Sequence, residues 1–194
     1  ISALVDLTNY ITFDLGRPLH VFDAKKIKGD LCIRMAKSGE ELLALDNKKY
    51  SLNENILIIS DNSKPVSIAG VMGGEESSCD ENTTEMFLES AYFSPKSVAT
   101  SGRKLNILSD ARYRFERGVD PNFVDEGLNI MTNLVLQICG GEVSEVVVSG
   151  ENKIERRIVE YNYSQVNKLG GIDITKKDQI QNLINLGFEV EDKN

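Results

Sequence analysis

Glu85-Met-Phe-Leu-Glu-Ser-Ala-Tyr-Phe-Ser-Pro95 turns from one kind of structure into another within a single short run. Residues 85–92 alternate, the period-two pattern of a strand. Ser94 and Pro95 then supply a helix N-cap and a first-turn proline, a position where the missing N–H is no loss. The spacing predicts a short helix to about Ser101. Glu89 shares a strand face with Phe87 and Ala91. A carboxylate there is either at a sheet edge or a placed hydrogen-bond acceptor, and the pattern alone leaves both readings open.

Downstream, Leu105-Asn-Ile-Leu-Ser-Asp-Ala-Arg-Tyr-Arg-Phe-Glu-Arg-Gly-Val-Asp-Pro121 departs from plain amphipathic patterning. It crowds Arg112, Arg114 and Arg117 beside Tyr113 and Phe115, with Asp110, Glu116 and Asp120 nearby. The arginines are either a salt-bridged surface or a phosphate contact, for which the guanidinium offers a rigid fork. Asp120-Pro121 repeats the cap-and-proline signal. Val124, Leu128, Met131, Val135 and Ile138 then recur at helical spacing as one buried stripe. Gly140-Gly141 ends that helix, and a strand is expected over 142–148.

Upstream, residues 4–15 read as an apolar helix, with Gly16 as a left-handed cap and Pro18 preventing continuation. Strands are expected over 31–36, over 42–59 around turns at Asp46-Asn47 and Asn53-Glu54, and over 65–72. The last runs into Gly73-Gly74, read as a loop free to take positive φ. The glycines of Gly70-Val-Met-Gly-Gly74 make either a tight turn or a close backbone approach to a ligand. No Gly-Lys-Ser/Thr follows, so they are not a phosphate loop. After a polar stretch, Ser149 to Arg157, come a strand over 158–163, a short helix ended by Gly170-Gly171, a helix starting at Thr175 and a strand at Phe188-Glu-Val190.

Composition bounds what this chain can do. It has 194 residues, 41% hydrophobic and 27% charged, ordinary values for a globular protein, and no apolar run is long enough to span a membrane. It begins at Ile1 rather than Met, so a preceding segment is expected. Cys32, Cys79 and Cys139 are far apart, which speaks against a disulfide framework or zinc knuckle and for reduced, mostly buried thiols. The net charge of −8 argues against the chain gripping a nucleic-acid backbone by itself. His20 is the only histidine, which excludes any site needing two imidazoles; it is structural or a site residue.

Five segments together carry a resemblance. Val5-Asp-Leu-Thr-Asn-Tyr10, Gly16-Arg-Pro-Leu-His-Val-Phe-Asp23, Ala69-Gly-Val-Met-Gly-Gly74, Leu88-Glu-Ser-Ala-Tyr-Phe-Ser-Pro95 and Ser109-Asp-Ala-Arg-Tyr-Arg-Phe-Glu-Arg-Gly-Val-Asp-Pro121 match in order and spacing. In them the chain resembles the beta subunit of the bacterial phenylalanyl-tRNA synthetases. The resemblance implies an α+β fold, with packed, sandwich-like β-sheets and flanking helices. It covers 1–150 as a tRNA-binding editing domain of B3/B4 type, with 151–194 as linker and incomplete start of the following module.

The activity implied is hydrolysis of tyrosine wrongly attached to phenylalanine tRNA. An apolar pocket cannot strongly reject an isostere that merely adds a hydroxyl, whereas a second site can hydrogen-bond that hydroxyl and reject phenylalanine. By the resemblance, Glu89 receives the tyrosine hydroxyl and the Gly73 backbone N–H gives it a second partner. Ser109, often Thr in relatives, and Ala111 line the pocket. His20 and Asn9 lie near the scissile ester as the catalytic pair, and a further family arginine would precede Ile1. No residue is an obvious nucleophile, so positioning of ester and water, helped by the tRNA's terminal hydroxyl, is the expected mechanism. The partners implied are tyrosine-mischarged phenylalanine tRNA and an alpha subunit in an alpha2-beta2 assembly in the cytoplasm. ATP and Mg²⁺ belong to the whole enzyme, with no cofactor or metal expected on this chain. The alternatives are a non-catalytic interaction or tRNA-binding module of the same fold, and a free-standing editing domain.

Overall fold

The computed structural model describes residues 2–150 and 157–192. The chain forms two compact units, Ile1–Asn152 and Lys153–Asn194.

In the first unit, α1 (Ala3–Asp14) starts at Ser2, whose hydroxyl accepts from the Val5 N–H, and stops at Gly16, whose φ of +67° a residue with a side chain adopts poorly. Its buried face carries Leu7 and Ile11, one turn apart, against Met131 of α4 (Val124–Cys139). β1 (His20–Asp23) pairs antiparallel with β8 (Met86–Glu89), in a register that sets His20 opposite Glu89. β2 (Cys32–Met35), β5 (Leu57–Ser60), β6 (Pro65–Ile68) and β7 (Met72–Gly73) form a second antiparallel sheet in that order. β3 (Glu41–Leu43) and β4 (Lys49–Ser51) make a hairpin, joined to the end of β7 by a bridge between Ala44 and Gly74.

Alternation along β1 divides the core. Val21 joins Leu7, Ile11, Leu19 and Met131, while Phe22 joins the larger cluster of Ile58, Ile68, Val98, Phe93 and Phe115. The β1–β8 ribbon therefore separates the helical layer from the sheets. α2 (Pro95–Leu105) closes the larger cluster with Val98. It is held there by Ser101, fully buried, whose Oγ accepts the Leu57 N–H at 3.0 Å. Ser101→Ala strands that N–H in the interior. We expect a loss of about 1–3 kcal/mol, read as a lowered denaturation midpoint with an unchanged slope.

Several expectations differ from what is found. Residues 142–148 are not a strand, because no described strand pairs with them. Ser94 occupies the N-cap of α2, but its hydroxyl makes no capping bond. The polar segment after Leu105 contains an unexpected helix, α3 (Asp110–Phe115). The buried stripe of α4 is rotated from the expected one, with Gly127 and Met131 buried and Ile138 60% exposed. At Gly127 the helix packs on the side chain of Arg17, and from Ile130 to Val135 it packs on the α1 cluster of Leu7 and Ile11. Cys32 and Cys139 are exposed rather than buried.

The second unit holds α5 (Ser164–Gly170) and α6 (Lys176–Asn185), the latter capped by Thr175. Gln179 is buried, accepting from Tyr161 Oη at 2.9 Å and donating to the Ile174 carbonyl at 2.8 Å. Neither 158–163 nor 188–190 forms a strand. Of the expected linker, residues 151–156 lie outside the described residues.

Candidate functional site

Register brings the first two groups together. His20 and Glu89 face each other across β1 and β8, although they are far apart in sequence. The exchange from the Ala24 N–H to the Glu85 carbonyl (2.9 Å) fixes the hydrogen-bonding phase of this ladder, so His20 and Glu89 form a hydrogen-bonded pair. Their side chains emerge on the face of Phe22, whose ring meets the His20 imidazole edge to face at 4.4 Å.

Gly73 supplies the third group. A Cβ there would lie 2.4 Å from His20 Cε1, 2.7 Å from Nε2 and 3.1 Å from Leu45 Cδ1. Only glycine lets the imidazole lie on the β7 backbone. Gly73 was expected in a loop with positive φ, but it is the last residue of a strand. The left-handed turn sits instead at Gly70, with a φ of +67°. That turn is wedged among Phe93, Val98 and Phe115, each within 3.2 Å of where a Cβ would stand.

The electrostatics of the pair are unusual. Burial pushes the Glu89 carboxyl up to about 7 and the His20 imidazole down to about 4. His20 is therefore uncharged at neutral pH. Its Nε2 is buried and has no hydrogen-bond partner among the described residues. No hydrogen bond or ion pair reaches the Glu89 carboxyl among them either, although β8 leaves it partly open. Unpaired buried polar groups are costly and rare in folded proteins, and here the buried His20 Nε2 lies on the same face as the partly open, unpaired Glu89 carboxyl.

Ser109 lies one step away. Its Oγ donates to the Val71 carbonyl at 2.6 Å and accepts the Arg112 N–H at 3.0 Å, tying the N-terminus of α3 to the turn that leads into Gly73. Ala111, on the first turn of α3, packs against the larger core. Asn9 is not brought to this group: it is exposed on α1, and its side chain makes no hydrogen bond among the described residues.

The arginines behind Ser109 are internally paired. Arg112 is buried against Gly102, donates to the Ile107 carbonyl at 2.5 Å and pairs with Glu116 at 2.9 Å. Arg114 pairs with Asp110 at 3.3 Å and Arg117 with Glu116 at 3.1 Å. Arg117 also stacks on Tyr113, 3.7 Å from the ring centre. Both charged ends of this helix thus hold one another and the loop before it. An open concavity of about 430 Å³ lies over Leu108, Ser109, Arg112 and Tyr113. It reaches Ser109 but not Glu89, His20 or Gly73. Among the described residues no three His, Cys, Asp or Glu side chains converge as metal ligands.

The buried residue that sequence reasoning passed over is Arg17. It is 1% exposed and donates to the carbonyls of Ala91 and Asp120. A turn sequence with arginine beside proline gives no sign of such burial.

Comparison with known proteins adds the following. A family model described as the B3/4 domain matches residues 1–140. The chain is 50% identical over 191 residues to a phenylalanine–tRNA ligase beta subunit of Brucella abortus, covering 98% of this chain and 24% of that protein. The beta subunit of Cereibacter sphaeroides is 53% identical over 191 residues, with the same 98% and 24% coverage. The chain thus spans about a quarter of the length of these curated relatives. In fold it is similar to the crystal structure of an N-terminal fragment of the phenylalanyl-tRNA synthetase beta subunit from Pyrococcus horikoshii. The TM-score is 0.50 at 16% identity, over 98% of this chain and 56% of that one. The α+β architecture of antiparallel sheets with flanking helices is the fold the two have in common.

Proposed function

The chain belongs to the B3/4 domain family, and from that premise we propose that it is the editing part of a phenylalanine–tRNA ligase beta subunit, hydrolysing tyrosine mischarged onto phenylalanine tRNA. One observation carries this reading: the unpaired Glu89 carboxyl and the unpaired His20 Nε2 emerge on one face, beside a backbone kept bare at Gly73. A tyrosine hydroxyl satisfies such groups. A phenylalanine ring leaves them buried and unpaired, at roughly 1–3 kcal/mol each.

In this reading Glu89 accepts the phenolic hydrogen and the Gly73 N–H donates to the phenolic oxygen. Ser109 and Ala111 shape the wall. His20, held neutral, hydrogen-bonds rather than attracts charge; with a pKa of about 4 it is a weak base. Hydrolysis then rests on alignment of the ester with a water and the tRNA's terminal hydroxyl, not on a protein nucleophile. Asn9, exposed on α1, takes part only when the tRNA end is bound against that helix. The −8 net charge leaves most of the grip on the tRNA to other parts of the longer protein and its alpha partner, in an alpha2-beta2 assembly in the cytoplasm. ATP and Mg²⁺, in this reading, serve amino-acid activation elsewhere in that assembly.

The test uses the full-length subunit with its alpha partner. Tyrosyl-tRNA and phenylalanyl-tRNA, both on phenylalanine tRNA, are incubated with it and the surviving ester is counted. The tyrosyl ester is expected to disappear at least about a hundredfold faster. Loss of both at the uncatalysed rate overturns editing and leaves the non-catalytic module.

A further inference from the structure

The β1–β8 ladder has a gap at the end that carries the site. Its phase is set by the bond from the Ala24 N–H to the Glu85 carbonyl, and hydrogen-bonded pairs recur every second residue. Continued past His20 and Glu89, that phase sets residue 18 opposite Ala91. Residue 18 is a proline and has no N–H to give. The Ala91 carbonyl nevertheless has a donor: Nη1 of Arg17, at 3.0 Å.

We infer that Arg17 is a positioning residue for the Glu89–His20 pair, its guanidinium standing in for the ladder donor that Pro18 lacks and locking the end of β8 in register. This rests on the proposed function for its enzymatic consequence, but not for its structural one. The second arm of the fork, Nη2, donates to the Asp120 carbonyl, at the entry to α4. One planar group thus joins the segment after Glu89 to the segment before α4, which a single ladder N–H could not do. The surroundings are built to hold it. The stem packs on Gly127, where a Cβ would stand 3.0 Å from Cγ, and the guanidinium lies 6.0 Å from the Phe123 ring centre. Nε is buried with no partner among the described residues, and burial lowers the pKa of the group. A buried cation kept with one donor unsatisfied is costly, so its two carbonyl contacts are what it is retained for.

Arg17→Lys keeps the charge but cannot bridge both carbonyls as a planar fork. In the full-length protein with its alpha partner, we expect amide hydrogen exchange at His20 and Glu89 to quicken about tenfold, with Val66–Ile68 unchanged. Discrimination between tyrosyl and phenylalanyl esters should fall about tenfold through kcat, while phenylalanine charging holds. Adding Pro18→Ala restores a ladder N–H opposite Ala91 and is expected to return most of the protection. Should the lysine variant not fold, Gly127→Ala presses on the Arg17 stem and is expected to give a two- to threefold change in the same direction.

Unchanged exchange at His20 and Glu89 overturns the inference. So does faster exchange spread equally over β6, which means general destabilisation, and so does faster exchange with discrimination intact. If exchange shifts as expected but the wild-type protein hydrolyses no tyrosyl ester, the ladder role stands and the editing reading is what fails.

Discussion

Glu89→Ala is expected to let tyrosyl-tRNA accumulate while phenylalanine charging continues unchanged. On the proposed reading, the variant removes the acceptor for the phenolic hydroxyl, a hydrogen bond to a charged group and so among the stronger ones. We expect tyrosyl-ester hydrolysis to fall about ten- to hundredfold, read by the tyrosine retained on phenylalanine tRNA. Hydrolysis at the wild-type rate would remove Glu89 from the site. The carboxyl also gives the activity a pH signature. Its pKa is pushed up to about 7 by burial, so the accepting carboxylate is lost as pH falls through 7. Tyrosyl-ester hydrolysis should decline below that point in the wild-type protein. Glu89→Gln, which does not titrate, should show a lower rate with no such decline.

Stability should move in the opposite sense. The folded-state pKa of Glu89 is raised, so its contribution is fully present below its unfolded value near 4.5 and is lost as pH rises through about 7. His20 is lowered from 6.5 to about 4, so its contribution is present above 6.5 and is lost as pH falls through 4. Between those limits the two slopes oppose each other. Glu89→Gln leaves only the histidine slope. The variant should therefore exceed the wild type in stability at pH 8 and lose that advantage by pH 5, as chemical denaturation at the two values would show. The wild-type carboxylate is thus held at neutral pH at a cost to the fold, as expected of a group kept for binding.

What could be read from the chain follows a physical division. Local chemistry was legible: the Gly16 stop, the Asp120-Pro121 start and the alternation of β8 each involve neighbours a few residues apart. Pairing partners were not. Val146, Val147 and Val148 have strand-like side chains, yet a strand requires a ladder, and none of the described strands offers them one. α3 is only six residues long, too short for its apolar residues to show a helical period, and Ser109 as its cap is the one local signal. The site divides in the same way. Glu89 drew attention as a carboxylate on an apolar strand face, but its position opposite His20 is a matter of register. Gly73 was legible as a glycine needed for something, and the need proved to be the imidazole against it rather than a positive φ. Arg17 left no trace, since a buried arginine follows no periodicity.

Gly73→Ala should be the most damaging small substitution on this face. The added methyl would come within 2.4 Å of His20 Cε1 and 2.7 Å of Nε2, and contacts that close must be relieved by movement. The backbone cannot retreat easily. The Gly73 carbonyl accepts the Leu45 N–H at 3.1 Å, and the Gly74 N–H donates to the Val66 carbonyl at 2.8 Å. The imidazole must move instead, and Phe22 stands edge-on at 4.4 Å to block one direction. Overpacking of this kind costs about 1–3 kcal/mol. The displaced ring also disturbs the place prepared for the substrate, so tyrosyl-ester hydrolysis should fall at least about a hundredfold. Two further variants separate these effects. Gly39→Ala adds a methyl where φ is +86° and nothing lies within 4 Å, so it should lose roughly 1 kcal/mol of stability from backbone strain with hydrolysis intact. Gly73→Ala combined with His20→Ala removes the clash. Its stability should recover relative to Gly73→Ala alone while hydrolysis stays low, because the ring that was displaced is now absent. A double variant no more stable than Gly73→Ala would mean that the methyl meets something other than His20.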